Sequence, residues 1–149
     1  MKSLKVQIKR KDDCKDLPVP GYATVGSSGM DLYADVKEDT ILGPGQIKLI
    51  STGIYIALPQ GYEAQIRPRS GLALKHGISM VNSPGTVDAD YRGLIGLIMI
   101  NHGNEPFIIK RGDRVAQMVV TQVSKVEFFE AEQLENTSRS QGGFGHTGV

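Results

Sequence analysis

A chain of 149 residues, 40% apolar and 22% charged, has the size and composition of one globular domain with its own core. Its 17 basic and 16 acidic residues leave a net charge of +1, which argues against general duplex nucleic-acid binding. No apolar run reaches the roughly 18 residues of a membrane span, and the single Cys14 rules out an internal disulfide. The N-terminal residues lack the apolar stretch of a signal peptide, so the expected location is the cytoplasm.

Leu4, Val6 and Ile8 alternate with polar neighbours and predict a half-buried strand. Residues 22–33 mix Gly, Ser and polar side chains before Met30-Asp31-Leu32-Tyr33, a loop entering a strand. Gly43-Pro44-Gly45 is a turn. Residues 47–58 are rich in β-formers, break near Thr52-Gly53 and stop at Pro59. Tyr62, Ala64 and Ile66 alternate with Glu63 and Gln65 as another strand, and residues 70–76 fit one short helix. Residues 94–100 are apolar throughout and predict a strand covered on both faces. Residues 114–123 and 126–129 complete the expected strands. Many short strands with 18 glycines and 7 prolines predict an all-β sandwich or barrel.

The last dozen residues differ in character. Four glycines between 142 and 148 leave little to bury and make ordering costly, so a free tail is expected. Yet the tail carries Arg139, Phe144 and His146, a set suited to a phosphorylated, ring-bearing ligand. Gly143 and Gly148 have the spacing of a G-x-x-x-x-G-K-[ST] phosphate loop. Val149 stands where that loop needs lysine, so the motif is rejected.

Four upstream segments also carry chemistry. In residues 85–93, Asp88, Asp90, Tyr91 and Arg92 form either an acidic hairpin turn or a carboxylate base beside an aromatic wall. Residues 67–71 place two arginines and a serine where they suit phosphate oxygens, or where they form a basic loop with a serine cap. Asp31 at a strand entry is commonly a turn former. Gln117 among apolar neighbours is commonly a hydrogen-bonded surface residue. His76, His102 and His146 have no metal-ligand spacing.

In order, residues 28–34, 68–73, 85–101, 111–117 and 139–148 closely resemble the five-motif signature of the trimeric dUTP diphosphatases (dUTPases). The match runs from about Pro20 to Gly148. The resemblance implies a jelly-roll-like β fold, with a catalytic domain over residues 1–136 and a flexible glycine-rich arm over residues 137–149. It implies a homotrimer whose arm closes over a neighbouring subunit's site. The implied reaction is dUTP + water → dUMP + pyrophosphate with Mg2+, which limits uracil incorporation into DNA and supplies dUMP for dTTP synthesis.

Residue by residue, Asp88 matches the catalytic aspartate that activates water. Asp31 matches the aspartate that holds magnesium through water. Arg69, Ser70, Gly71 and Gln117 match phosphate-binding positions. Asn82, Gly85 and Val87 resemble the uracil-reading hairpin, and Tyr91 matches the ring against deoxyribose. Phe144 would lie over uracil and Arg139 on the γ-phosphate, with Gly145, His146 and Thr147 around the phosphates. The sequence departs from the family at His146, where many members have serine, and at Ser140-Gln141. Arg92 is left between a trimer contact and a phosphate contact. A dCTP deaminase would not be expected to carry this tail. A non-catalytic binder on the same fold has no need of Asp88, and a purely structural sandwich leaves the ordered motifs unexplained.

Overall fold

The computed structural model describes residues 3–144, and their regular structure is almost all β-strand. In chain order the strands are β1 (Gln7–Arg10), β2 (Met30–Tyr33), β3 (Thr40–Leu42), β4 (Ile47–Ser51), β5 (Ile54–Ala57) and β6 (Tyr62–Arg67). They continue with β7 (Ile78–Met80), β8 (Gly85–Val87), β9 (Gly96–Asn101), β10 (Phe107–Ile109) and β11 (Arg114–Gln122). The helix α1 (Ser70–His76) joins β6 to β7. Every ladder is antiparallel. One sheet runs β2-β11-β6-β8, a second β4-β9-β7, and two ribbons pair β1 with β5 and β10 with β3. A single core, centred on Leu32, Leu42, Ile78, Leu97, Met99 and Ile109, draws side chains from both sheets and both ribbons. This is the all-β, jelly-roll-like architecture expected from the sequence.

Three sequence expectations need correction. The strand over 94–100 is not covered on both faces. In β9, Leu97 and Met99 are buried, whereas Ile98 and its β4 partner Leu49 are 38% and 73% exposed. An antiparallel sheet needs only one covered face, so the outer apolar row lies open. The first strand starts at Gln7 rather than Leu4, and its side chains through Lys9 are exposed. Residues 126–129 form no strand, because they pair with no edge of this chain, and Val126, Phe128 and Phe129 stand in solvent. The three-residue strands β3, β7 and β10 were not anticipated, being too short to display an alternation. Among the described residues, no helix is long and apolar enough to cross a membrane.

Two devices hold the loops that carry the motifs. The helix α1 buries none of its residues completely; Leu72 packs against the core and the His76 ring lies 5.1 Å from that of Phe107. Its end is capped by Gly77, in the left-handed conformation at φ 68°, which abuts Gly103. A Cβ on Gly77 would lie 2.5 Å from the Gly103 nitrogen, so only glycine permits that contact. Buried Asn101 ties the same region down, donating to the carbonyls of Leu42 and Glu105 and accepting from the Gly103 N–H.

The second device is an ion cluster around Asp35, whose side chain is 4% exposed. Its carboxylate accepts from Lys11 Nζ at 2.8 Å, Arg111 Nη1 at 2.7 Å and Ser51 Oγ at 2.9 Å. Arg111 also forks onto both oxygens of Asp16. Burial alone would push the Asp35 carboxyl up. Hydrogen bonds led by that from Lys11 outweigh this and hold it well below the usual carboxylate range. Burial, with Asp35 nearby, pushes the neighbouring Cys14 thiol up to about 11, so it is no nucleophile at neutral pH.

Because the folded value of Asp35 is lowered, its stabilisation is complete above the unfolded value of about 4. It is lost as pH falls through the folded one. Asp35→Asn should therefore lower stability on the order of 2 kcal/mol at pH 7, since two partly exposed cations lose their buried partner. The gap to wild type should narrow below pH 4. Urea unfolding at a series of pH values measures both.

Candidate active site

The four-stranded sheet gathers one group of candidates. Across the β2–β11 ladder Asp31 faces Gln117, and across β11–β6 Gln117 faces Arg67. Arg69, the N-cap residue of α1, reaches back so that its Nε donates to Asp31 Oδ1 at 2.9 Å. Arg114 Nη1 donates to Asp31 Oδ2 at 3.1 Å. Gln117 Nε2 donates to the Pro68 carbonyl at 3.0 Å, fixing the loop that leads into α1. Ser70 and Gly71 open the helix on an exposed surface, and no atom lies within 4 Å of where a Cβ on Gly71 would sit. Arg69 and Arg114 line an open cleft of about 280 Å³ with Leu72, Phe107, Asp113 and Val115. Sequence reading did not single out Arg114, although it lies inside the segment quoted around Gln117.

The second group sits on β8 and the turn after it. β8 is an edge strand, paired only with β6, so one side of its backbone has no ladder partner. Gly85 and Val87 both point inward and are buried, which leaves only their main chain to meet a ligand. The Asn82 side chain lies over Gly85, with Nδ2 at 3.2 Å from the position of an added Cβ. Asp88 is exposed just beyond the strand. Tyr91 is 45% exposed, and its hydroxyl donates to the Leu94 carbonyl at 3.1 Å. That ring rests directly on Gly93, where an added Cβ would overlap its Oη and Cζ atoms. Arg92 donates to the carbonyls of Ala89 and Tyr91, so its observed contacts shape the turn.

The two groups do not meet within one chain. The row of Asp31, Gln117 and Arg67 lies beyond the pair Ile66–Gly85, whereas Val87 faces Ala64. Asp88 is thus three strand spacings and about four residues from Asp31, roughly 15–20 Å at ordinary sheet dimensions. The tail is also apart from both. Residues 123–144 contain no helix or strand. Arg139 Nε donates to the Gly142 carbonyl within a local turn, and the Phe144 ring is fully exposed. Gly145, His146 and Thr147 lie outside the described residues.

Asp31 is the candidate for a metal contact. Among the described residues, no group of three or more His, Cys, Asp or Glu side chains could enclose an ion. Both Asp31 oxygens already accept from arginines, yet a carboxylate has about four acceptor positions. The two that remain fit contact with magnesium through its water shell, with phosphate oxygens as direct ligands.

Comparison with known proteins bears on the family and the fold. A family model described as dUTPase matches residues 15–148. The deoxyuridine 5'-triphosphate nucleotidohydrolase of Thermoanaerobacter sp. (strain X514) is 59% identical over 147 residues, 99% of each chain. That of Caldanaerobacter subterraneus subsp. tengcongensis is 58% identical over the same shares. In fold, the chain is similar to the Staphylococcus bacteriophage 80alpha dUTPase with dUPNHPP, at a TM-score of 0.85 and 23% identity over 97% of this chain and 99% of that one. It is also similar to a mutant dUTPase from phage phi11 of S. aureus, described with a structural Mg(II) ion, at a TM-score of 0.78 and 20% identity. The latter match covers 89% of this chain and 99% of that one.

The contact between Tyr91 and Gly93 gives a direct test of the turn's design. Gly93→Ala should drive the Tyr91 ring off the Leu94 carbonyl while leaving the core intact. NMR shifts of the Tyr91 ring protons should move, with those of buried Leu97 and Met99 unchanged.

Proposed function

The chain belongs to the dUTPase family, and from that membership we propose that it hydrolyses dUTP to dUMP and pyrophosphate with Asp88 as general base. The observation that carries the reading is the gathering of Asp31, Arg69, Ser70 and Gln117 at one end of one sheet, where a polyphosphate would be held. On this reading Arg69, Ser70, Gly71 and Gln117 bind phosphate. Asp31 holds magnesium through water, and the metal when bound neutralises phosphate charge. Asp88 accepts a proton from water as the new bond forms to the α-phosphorus. The bond to the bridging oxygen breaks in line, and pyrophosphate leaves with the electron pair. The free edge of β8, with Asn82, Gly85 and Val87, reads uracil through main-chain groups. Tyr91 packs against deoxyribose and excludes ribose by contact. Cytoplasmic action, removing dUTP before it enters DNA and supplying dUMP for dTTP synthesis, belongs to the same reading.

The separation of Asp88 from Asp31 supports a site shared between chains of a homotrimer. So does the open apolar row of Ile47, Leu49 and Ile98, together with the exposed Val126, Phe128 and Phe129. We assign residues 137–149 as an arm that reaches a neighbouring site. There Arg139 takes the γ-phosphate, Phe144 covers uracil, and Gly145, His146 and Thr147 wrap the phosphates.

The activity is tested with dUTP, dTTP, dCTP and UTP in magnesium, scored for pyrophosphate. Only dUTP should turn over rapidly, and ammonia from dCTP would turn the reading toward deamination. Asp88→Asn should lower kcat by about 10² or more while dUTP still binds. The sharing of sites has its own test. Asp88→Asn and Arg69→Gln, each inactive alone, should regain a measurable fraction of activity when unfolded together and refolded. Mixtures as inactive as the parents would place both residues in one chain's site.

A further inference from the structure

The β2–β11 ladder is irregular at one point, and the irregularity decides where a charge points. From Gln117 the pairing runs regularly, Gln117 to Asp31 and Ala116 to Leu32. A regular ladder would next place Val115 opposite Tyr33. Instead Arg114 is opposite Tyr33, so a β-bulge falls between Arg114 and Ala116. Val115 and Ala116 are both buried and both enter the core. Asp31 and Tyr33 share the other face, and the bulge puts Arg114 on that face. Were the same residues paired regularly, with no bulge, strict alternation from Ala116 would direct Arg114 into the apolar interior.

On that face Arg114 completes a pair of guanidinium groups. Asp31 spans them, with one oxygen on Arg69 and the other on Arg114. Arg69 Nη1 also donates to the Arg114 carbonyl at 3.1 Å. Asp113 also lines the cleft, with one of its oxygens engaged by the Lys110 backbone N–H. Arg114 is the more open of the two arginines, its side chain 53% exposed against 27% for Arg69. Only one of its five N–H donors is used by Asp31, so the rest of the fork can meet an anion. We propose that Arg114 is a further polyphosphate-binding residue of this site, aimed by the bulge at Val115 and bracketed to Arg69 by Asp31. The proposal rests on the dUTP-hydrolase reading above.

The test uses Arg114→Gln and Arg114→Lys in the full chain, with wild type beside them. Calorimetry measures binding of dUMP and of the analogue dUpNHpp, and thermal unfolding is followed in parallel. Arg114→Gln should weaken dUpNHpp binding about ten-fold or more, the loss of a charge-assisted contact, and leave dUMP binding and the unfolding temperature unchanged. Arg114→Lys should fall between, keeping the charge without the fork. Unchanged dUpNHpp affinity would overturn the assignment. So would an equal loss for dUMP and dUpNHpp, which would mark a structural role. Wild type that neither binds dUpNHpp nor hydrolyses dUTP overturns the hydrolase reading as well, whereas normal wild type with an unaffected variant overturns Arg114 alone.

Discussion

The buried ion pair between Asp35 and Arg111 is the constraint on which the arrangement of this protein turns. Asp35 lies two residues past the end of β2, and Arg111 three residues before the start of β11. Their contact, joined by Lys11, clasps the two strands at the end next to Tyr33 and Arg114. Asp31, Arg114 and Gln117 all sit on the strands so clasped. A buried carboxylate with cationic and hydroxyl partners is strongly directional, because any partner lost leaves a desolvated charge. An apolar contact at that place would tolerate sliding. The ion cluster does not, and it fixes the register from which the bulge and the Arg69–Asp31–Arg114 bracket follow.

Within one chain the candidate residues form two separate groups. The cationic group is built by the core sheet and by α1, which is held by Leu72 packing and by the Gly77–Gly103 contact. The other group is the edge strand β8 and the turn bearing Asp88 and Tyr91. On the proposed reading a second copy brings them together and a third copy's arm covers them. On that reading the open apolar row of β4 and β9 would bear on the chemistry. The association that covers Leu49 and Ile98 would also set the distance between base and phosphate group. Residues 137–144 fit this scheme, being mostly exposed and free of regular structure.

How much was legible in the sequence varied with the range of the interaction. The turn at Gly43-Pro44-Gly45, the break at Thr52-Gly53 and the helix over residues 70–76 are local events, and each is found where the residues placed it. The apolar run around Ile98 misled, because composition does not say which face of a strand has a partner. Residues 126–129 misled for the same reason, since strand character in a segment does not supply an edge to pair with. Gly93 could have been suspected from its place after Tyr91, but only the packed ring shows what glycine does there.

The sequence by itself determined the class of fold, the family and the short list of candidate side chains. Those depend on residue type, on order along the chain and on patterns spanning a few residues. The tertiary structure alone decided that Asp31 lies between two arginines, that Arg114 points outward and that Asp88 is far from both. Those facts depend on ladder register, where one bulge decides whether a side chain faces core or cleft. Register comes from contacts such as Asp35–Arg111, 76 residues apart in sequence, and no local pattern encodes a pairing over that distance.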